Sequence, residues 1–428
     1  MVLVIDSGTT NTKAFLFDRA GKPVCESRCP TGTLHPGPGM VEQEAEEWWL
    51  AALSAVQKIR RATIGLSNIK IDAIITSTQG GTFAPLDKEL EPLRPGITWL
   101  DNRAKSEAGK LNRRYGKTFY LKTGHVLRGW CPIIAIPWVK KNEPEIYRKT
   151  ARISFVADYL NYKMTGRFFI DQTAAGMTSF FNVKSGAWDR NLLDITGIKS
   201  NFLPEIVLSG KSGGRLKREA AKLLGLSEGI PVISGGHDQY CASLGAGAVS
   251  PGDCLLSCGT AWVLLVLTRG PVFKPGSDWT PGRHFQPGTF GLMGAISNGG
   301  VVLDWMQKTL RLSSRRPLLV PGKEKMIQVV SCFSEGKGAI KNLNLASKPQ
   351  DIYRATLKAL VRQVSVYLNQ IKNEVEIKRL FLVGGGVKEP LLLPILTKIT
   401  GLKIIVPDVN EAAARGAAFL ALKYLEEK

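Results

Sequence analysis

The sequence predicts an α/β protein of two similar halves, each a mixed sheet flanked by helices, with a cleft between them. Three observations carry this. The first eighty or so residues read strand, strand, strand, helix, strand, an order that builds a mixed sheet rather than a sandwich or a bundle. An apolar run, a Gly-Thr turn and a second apolar run occur twice, as "VLVIDSGTTNTKAFLFD" at 2–18 and "CLLSCGTAWVLLVLT" at 254–268, half a chain apart. Between them "GAGAVSPGD" (245–253) breaks the periodicity with glycines and Pro251. Two halves that open on the same hairpin imply a duplication, with expected domains at 1–245 and 246–428. At 428 residues the chain is also too long for one ordinary core.

The elements follow in order. Strands are expected near 2–6, 12–17 and 24–29, separated by Gly and Pro turns such as Gly21-Lys22-Pro23. In "EAEEWWLAALSAVQKIRRA", Trp48, Ala52, Ala55, Val56 and Ile59 recur at helical spacing, with acids at the start and bases at the end, as the helix dipole prefers. "IDAIITST" (71–78) reads as a buried strand. After the second hairpin come helices at 301–311 and 350–372, the strands "RLFLVGG" and "KIIVPD", and a final helix in "NEAAARGAAFLALKYLEE".

Composition excludes several classes. No apolar stretch reaches the length of a membrane span, and no signal peptide is expected because the first residues already read as a strand, so the expected location is the cytoplasm. Seven cysteines spread over the chain, without a CxxC, argue against a disulfide framework, and four histidines argue against structural zinc. The net charge of +21 raises nucleic-acid binding, but the basic residues are dispersed in short pairs such as Arg60–Arg61 and Arg315–Arg316. A solvated basic surface is the preferred reading, with neither nucleic acid nor membrane as partner.

The first hairpin carries more polar groups than a turn needs. Asp6 ends a strand, where a carboxylate can hold magnesium directly or through water. The bend after it offers Gly8 and backbone N–H groups as an anion nest, surrounded by Thr9, Thr10, Asn11, Thr12 and the Lys13 ammonium. Magnesium keeps its waters and takes phosphates as ligands, so few protein carboxylates suffice. Gly259-Thr260 would grip the same triphosphate from the other side. "SGKSGG" (209–214) fails the Walker pattern because Glu205 stands where its first glycine belongs, and "GAGAVS" and "GGGVKE" lack the third glycine of a dinucleotide fingerprint.

A longer series of motifs runs through the chain in order. It comprises "DSGTTNTK" (6–13), "PGMVEQEAEEWW" (38–49), "STQGGT" (77–82), "WLDNRA" (99–104), "LPEIVLSG" (203–210) and "GGHDQYCASLGAG" (235–247). "CGT" (258–260), "SNGG" (297–300), "LVGGGVKEP" (382–390) and "NEAAARGAAFLA" (410–421) complete it. In this the chain resembles the FGGY family of carbohydrate kinases, within the actin, Hsp70 and hexokinase superfamily. The resemblance implies two actin-like (ribonuclease H-like) domains closing around ATP and a sugar. By matching position it implies Asp6, with Asp238, at magnesium and Gly8, Thr9, Thr10, Asn11 and Lys13 at the phosphates. Gly259 and Thr260 would form the second phosphate loop. Gly299 and Gly300 would line the nucleotide site, and Gly384, Gly385 and Gly386 would pack against adenosine.

The resemblance makes Asp238 the base that accepts the acceptor hydroxyl's proton. As a plain sequence feature Asp238 also reads as the N-cap of a helix starting at Gln239, and His237 as structural. Acceptor contacts are implied at Gln79, Gly80, Gly81, Trp99, Asp101 and Arg103, with Asp238 and Gln239 opposite. Taken alone, Trp99 reads equally as a core aromatic and Asp101–Arg103 as a surface ion pair. Glycerol kinases carry Arg-Glu where this chain has Gly80-Gly81, and many xylulose kinases carry Met-His-Gly there. The bare glycines are therefore expected to leave room for a larger or differently branched acceptor. Glu389 replaces the Asn or Ser often found near adenine, which weakens that contact, and the chain is shorter than usual for the family. The expected activity is an ATP- and magnesium-dependent kinase for a ketose of the pentulose type. The alternatives are a polyol or sugar acid as acceptor, or an acceptor-independent ATPase. A homodimer is left open as the assembly.

Overall fold

The structure is a computed structural model that describes residues 1–63, 70–296, 299–312, 327–330 and 337–428. Ser297 and Asn298 of "SNGG", the Arg315–Arg316 pair and part of the segment before residue 337 lie outside the described residues.

The first sheet is built from β1 (Val2–Ser7), β2 (Asn11–Phe17), β3 (Pro23–Pro30), β4 (Ala73–Thr78), β5 (Ser212–Arg215) and β6 (Pro231–His237), in the order β5-β6-β4-β1-β2-β3. The second uses β7 (Asp253–Cys258), β8 (Trp262–Thr268), β9 (Thr280–Arg283), β10 (Phe290–Ile296), β11 (Arg379–Val383) and β12 (Lys403–Ile405), in the order β9-β10-β8-β7-β11-β12. The duplication is visible in the pairing. β1 runs antiparallel to β2 and parallel to β4, and β7 stands in the same relation to β8 and β11. Each sheet then extends by a third antiparallel strand on one side and a further parallel strand on the other. The two-half α/β architecture expected from the repeated hairpin is therefore what the chain adopts.

Alternation along β1 explains the layers. Leu3 and Ile5 face a core with Trp48, Ala52 and Val56 of α1 (Ala45–Ala62), while Val2 and Val4 face Ala414, Ala417 and Ala418 of the last helix. α1 carries Glu46 and Glu47 in its first turn and Arg60 and Arg61 in its last, as its dipole requires. In the second half, one face of β7 and β8 packs on the long helix Pro349–Ile371 and the other on Tyr240, Ala242 and Ala246.

Two helices lie between the sheets and exchange halves. α2 (Asp238–Ala246) follows a strand of the first sheet yet packs on the second. α3 (Ala412–Glu426) follows a strand of the second sheet yet covers the first. They cross in backbone contact: a Cβ at Gly245 would meet the Ala412 carbonyl oxygen at 1.9 Å, and one at Gly416 would meet that of Cys241 at 1.9 Å. Only glycine fits at either position.

Glu42–Gln43 and residues 79–211 add a smaller four-stranded sheet (Glu42–Gln43, Gly96–Ile97, Phe83–Leu86, Arg152–Phe155) over a core that includes Phe83, Phe119, Ile133 and Phe181. This layer presents the segment 79–103. Among the described residues no helix is long and apolar enough to cross a membrane.

Candidate active site

The first hairpin turns at Gly8, whose N–H donates to the Asn11 carbonyl at 3.0 Å, and its register sets Asp6 directly opposite Lys13. Asp6 is the penultimate residue of β1 and Asp238 opens α2 immediately after β6, with β4 between the two strands. Burial raises the Asp6 carboxyl to about 6. The Lys13 ammonium pulls it back, while the Asp238 and Glu411 carboxylates push the same way as burial. Three carboxylates against one ammonium leave a surplus of negative charge on hard oxygen donors, the donor set that magnesium takes. Among the described residues no group of three or more His, Cys, Asp or Glu side chains forms a ready-made metal cage. An ion here would depend on phosphate oxygens to complete its shell.

Within the turn, Asn11 Nδ2 donates to Thr10 Oγ1 at 3.2 Å, and the Thr10 carbonyl accepts from Thr31 N–H at 3.0 Å. The Thr9 hydroxyl has two partners outside the turn. It donates to Gln79 Oε1 at 3.0 Å and accepts from the Trp99 indole N–H at 2.9 Å. Gln43, which sequence reasoning did not single out, donates to the Thr9 carbonyl at 2.6 Å and accepts from Gln79 Nε2 at 3.0 Å. The turn after β1, Gln43 and the segment 79–99 are thus one hydrogen-bonded piece.

The second hairpin is tied down differently. The N–H groups of Gly300 and Val301, at the start of helix Gly300–Thr309, donate to the carbonyls of Gly259 and Thr260 at 3.2 and 3.0 Å. Gly299 lies on Trp262, and a Cβ at Gly300 would meet the Gly259 carbonyl oxygen at 2.3 Å. Gly384, with φ of +90°, and Gly386 both press on Cys258 at the end of β7, whereas Gly385 has open space where a side chain would be. Glu389 is buried, accepting from the Tyr353 hydroxyl at 2.9 Å and the Leu391 N–H at 3.2 Å.

His237, not Asp238, caps α2: its Nδ1 accepts from Gln239 N–H at 3.4 Å. This corrects the capping role open to Asp238 and leaves that carboxylate partly exposed, its Oδ1 3.4 Å from His237 Nδ1. The backbone here is pinned by Thr173, whose hydroxyl accepts from His237 N–H at 2.7 Å and donates to Asp171 at 2.5 Å. Next to Asp238, Gln239 Oε1 is buried with no hydrogen-bond partner among the described residues, a free acceptor of the kind that a ligand hydroxyl can satisfy.

On the acceptor side, Asp101 and Arg103 form a buried pair rather than a surface one. Arg103, with its side chain 2 % exposed, binds Asp101 through Nε and Nη2 and Glu42 at 2.6 Å, and lies over the Trp138 ring. Asp101 also accepts from the N–H groups of Val41 and Arg103. Arg94 completes the network on Glu42 and Glu143. Trp99 is half-buried, so its indole ring is not simply core. The room expected beside the two bare glycines is a second correction. A Cβ at Gly80 would meet Met177 Cγ at 2.6 Å and His237 Cδ2 at 2.7 Å, and one at Gly81 would meet Trp130 at 3.2 Å and Trp99 Cβ at 3.4 Å. Neighbouring side chains from distant segments fill what the glycines vacate. Thr173, Met177 and Trp130 carry no motif of their own, and Gln43 sits in "PGMVEQEAEEWW" without being marked by it; only the fold brings them here.

The models of the FGGY family of carbohydrate kinases match this chain over residues 1–245 for the N-terminal domain and 334–424 for the C-terminal domain. It is 26% identical to the xylulose kinase of Escherichia coli, over 98% of this chain and 89% of that protein. It is 29% identical to the glycerol kinase of Thermococcus kodakarensis, over 98% and 87%. The crystal structure of ligand-bound xylulose kinase from Lactobacillus acidophilus superposes with a TM-score of 0.92 at 25% identity, covering 100% of this chain and 90% of that one.

Proposed function

Because the chain belongs to the FGGY family of carbohydrate kinases, phosphotransferases with an alcohol group as acceptor, we propose that it transfers the γ-phosphoryl group of ATP to a hydroxyl of an uncharged ketose of the pentulose type. The observation that carries this reading is the bond pattern of Thr9. One hydroxyl joins the phosphate turn to Gln79 and Trp99, so nucleotide and acceptor groups are held in a single frame. Phosphoryl transfer is mostly positioning and charge neutralisation, which such a frame supplies.

In this reading the turn 8–11 and Lys13 receive the phosphates of ATP from one side and Gly259-Thr260 from the other. Gly384 to Gly386 lie near the adenosine. Asp6 and Asp238 are the groups that hold magnesium, which neutralises phosphate charge when bound. Asp238 accepts the proton of the attacking hydroxyl, and Gln239 Oε1 accepts a hydrogen bond from a second hydroxyl of the sugar. Trp99 and Trp130 give the C–H face of the sugar an apolar wall.

An uncharged acceptor is favoured over a sugar acid because the guanidinium of Arg103, the implied acceptor contact, is already consumed by Asp101 and Glu42. The xylulose kinases among its sequence relatives and superposed structures support a ketose, and the glycerol kinase relative at 29% identity makes a polyol the alternative. The test is an ADP-release assay with magnesium and ATP over a panel of pentuloses, polyols and sugar acids. Turnover with a pentulose is expected. Turnover with gluconate alone, or glycerol alone, would move the acceptor class. ATP hydrolysis indifferent to every acceptor would overturn the kinase reading.

A further inference from the structure

Lys13 and Glu411 are 398 residues apart in sequence, and their Nζ and Oε2 atoms lie 2.7 Å apart, both partly buried. Lys13 stands on β2 opposite Asp6. Glu411 is the residue before α3 and arrives from the second half of the chain. We propose that Glu411 is a positioning residue for phosphoryl transfer: it holds the Lys13 ammonium at the first phosphate turn, where the arriving nucleotide shares it. This rests on the kinase reading above.

The frame of this pair is what gives it a role beyond stability, since a partly exposed ion pair contributes little to folding. The start of α3 cannot move independently of α2, because Gly245 and Gly416 place the two backbones in contact. α2 begins at Asp238. Glu411 is therefore fixed relative to the base, and through it Lys13 is fixed as well. A lysine has four rotatable side-chain bonds and samples many positions unless a partner holds it. The Asp6 carboxylate alone, on the neighbouring strand, attracts the ammonium without directing it. The Glu411 carboxylate, hydrogen-bonded to Lys13 Nζ at 2.7 Å, supplies that direction. Nothing in "NEAAARGAAFLA" marks Glu411 for this; its meeting with Lys13 exists only in three dimensions.

The experiment is a double-mutant cycle on Lys13→Met and Glu411→Gln, reading kcat, KM for ATP and KM for the acceptor, with the thermal unfolding of each variant. Glu411→Gln is expected to lower kcat roughly tenfold, the scale of one charge-assisted hydrogen bond, with acceptor KM unchanged. Lys13→Met should lower it further, and the double variant should be no worse than Lys13→Met. Glu411→Asp, one methylene shorter, should recover part of the loss, and it carries the same cycle if Glu411→Gln does not fold. Additive losses, or wild-type kcat in Glu411→Gln, would overturn the proposal. If the wild-type chain binds ATP but phosphorylates no acceptor, the kinase reading fails instead. The same cycle read on ATP affinity by calorimetry then still decides whether Glu411 acts through Lys13.

Discussion

The indole N–H of Trp99 donates to the Thr9 hydroxyl across 2.9 Å, a bond between the segment proposed to hold the acceptor and the turn proposed to hold the phosphates, made by residues ninety positions apart. Trp99→Phe removes that donor and keeps an aromatic ring. The loss of one such bond is worth about 0.5–1.5 kcal/mol, so kcat/KM should fall severalfold for ATP and for the acceptor alike. Steady-state kinetics with each substrate varied checks this. A loss confined to the acceptor would mean that the bond does not couple the two sites.

Asp238→Asn keeps the size of the side chain and removes the base. Transfer should fall by about 10²–10⁴-fold, the usual worth of a general base, while affinity for ATP without magnesium, measured by calorimetry, changes little. Retained turnover would place the base elsewhere.

Asp6 sets an acid limit. Its carboxyl is raised to about 6, mainly by burial, so lowering the pH through that value neutralises the group that would hold magnesium. kcat/KM for ATP should fall below about pH 6, and excess magnesium should shift the limb to lower pH by favouring the ionised form. Asp6→Asn should remove both the limb and its magnesium dependence. A limb that ignores magnesium concentration would assign it to another group.

Gly80→Ala pushes a methyl group into Met177 and His237. Overpacking of this kind costs about 1–3 kcal/mol, and because the strain falls beside Asp238 the acceptor KM should rise as well. Met177→Ala in the same chain should relieve part of both effects, since Met177 Cγ is the nearest contact. Urea unfolding and acceptor KM measure the two.

Asp158 is a stability prediction away from the site. It is fully buried, bonded to Ser154 Oγ and Phe155 N–H at 2.7 Å each, and its carboxyl is raised from 3.8 to about 7, chiefly by burial. A raised acid binds its proton more tightly in the folded state. It therefore costs no stability below about pH 3.8, and the cost grows until the pH passes 7. Asp158→Asn, whose Oδ1 can accept from Phe155 N–H while its Nδ2 donates to a reoriented Ser154 hydroxyl, should raise the unfolding temperature at pH 8 and leave it near wild type at pH 4. An equal shift at both pH values would remove ionisation as the cause.

Much of the fold was legible because hairpins, the amphipathic α1 and the repeated Gly-Thr turn are local patterns. Asp6, the turn and Asp238 were legible because each belongs to a contiguous motif. Gln79 could be named, but not its amide's bonds to the phosphate turn and to Gln43, because those partners come from separate strands. The burial of Asp101 and Arg103 depends on Glu42 and Arg94, two residues that no spacing connects to them. The filling of the space at Gly80 by Met177 was invisible for the same reason: a glycine in sequence reports an absent side chain, not what occupies its place.

The exchange of α2 and α3 between the sheets also bears on how the protein can be cut. A fragment ending at residue 245 would lack α3 and leave Val2, Val4, Phe15, Phe17 and Ile75 without the apolar cover that they have in the whole chain. It should aggregate or remain partly folded, although it contains a complete six-stranded sheet. Coexpression with residues 246–428 should rescue it, because the missing layer is then supplied in trans. The two halves are copies in pattern, yet each sheet takes part of its apolar cover from the other half.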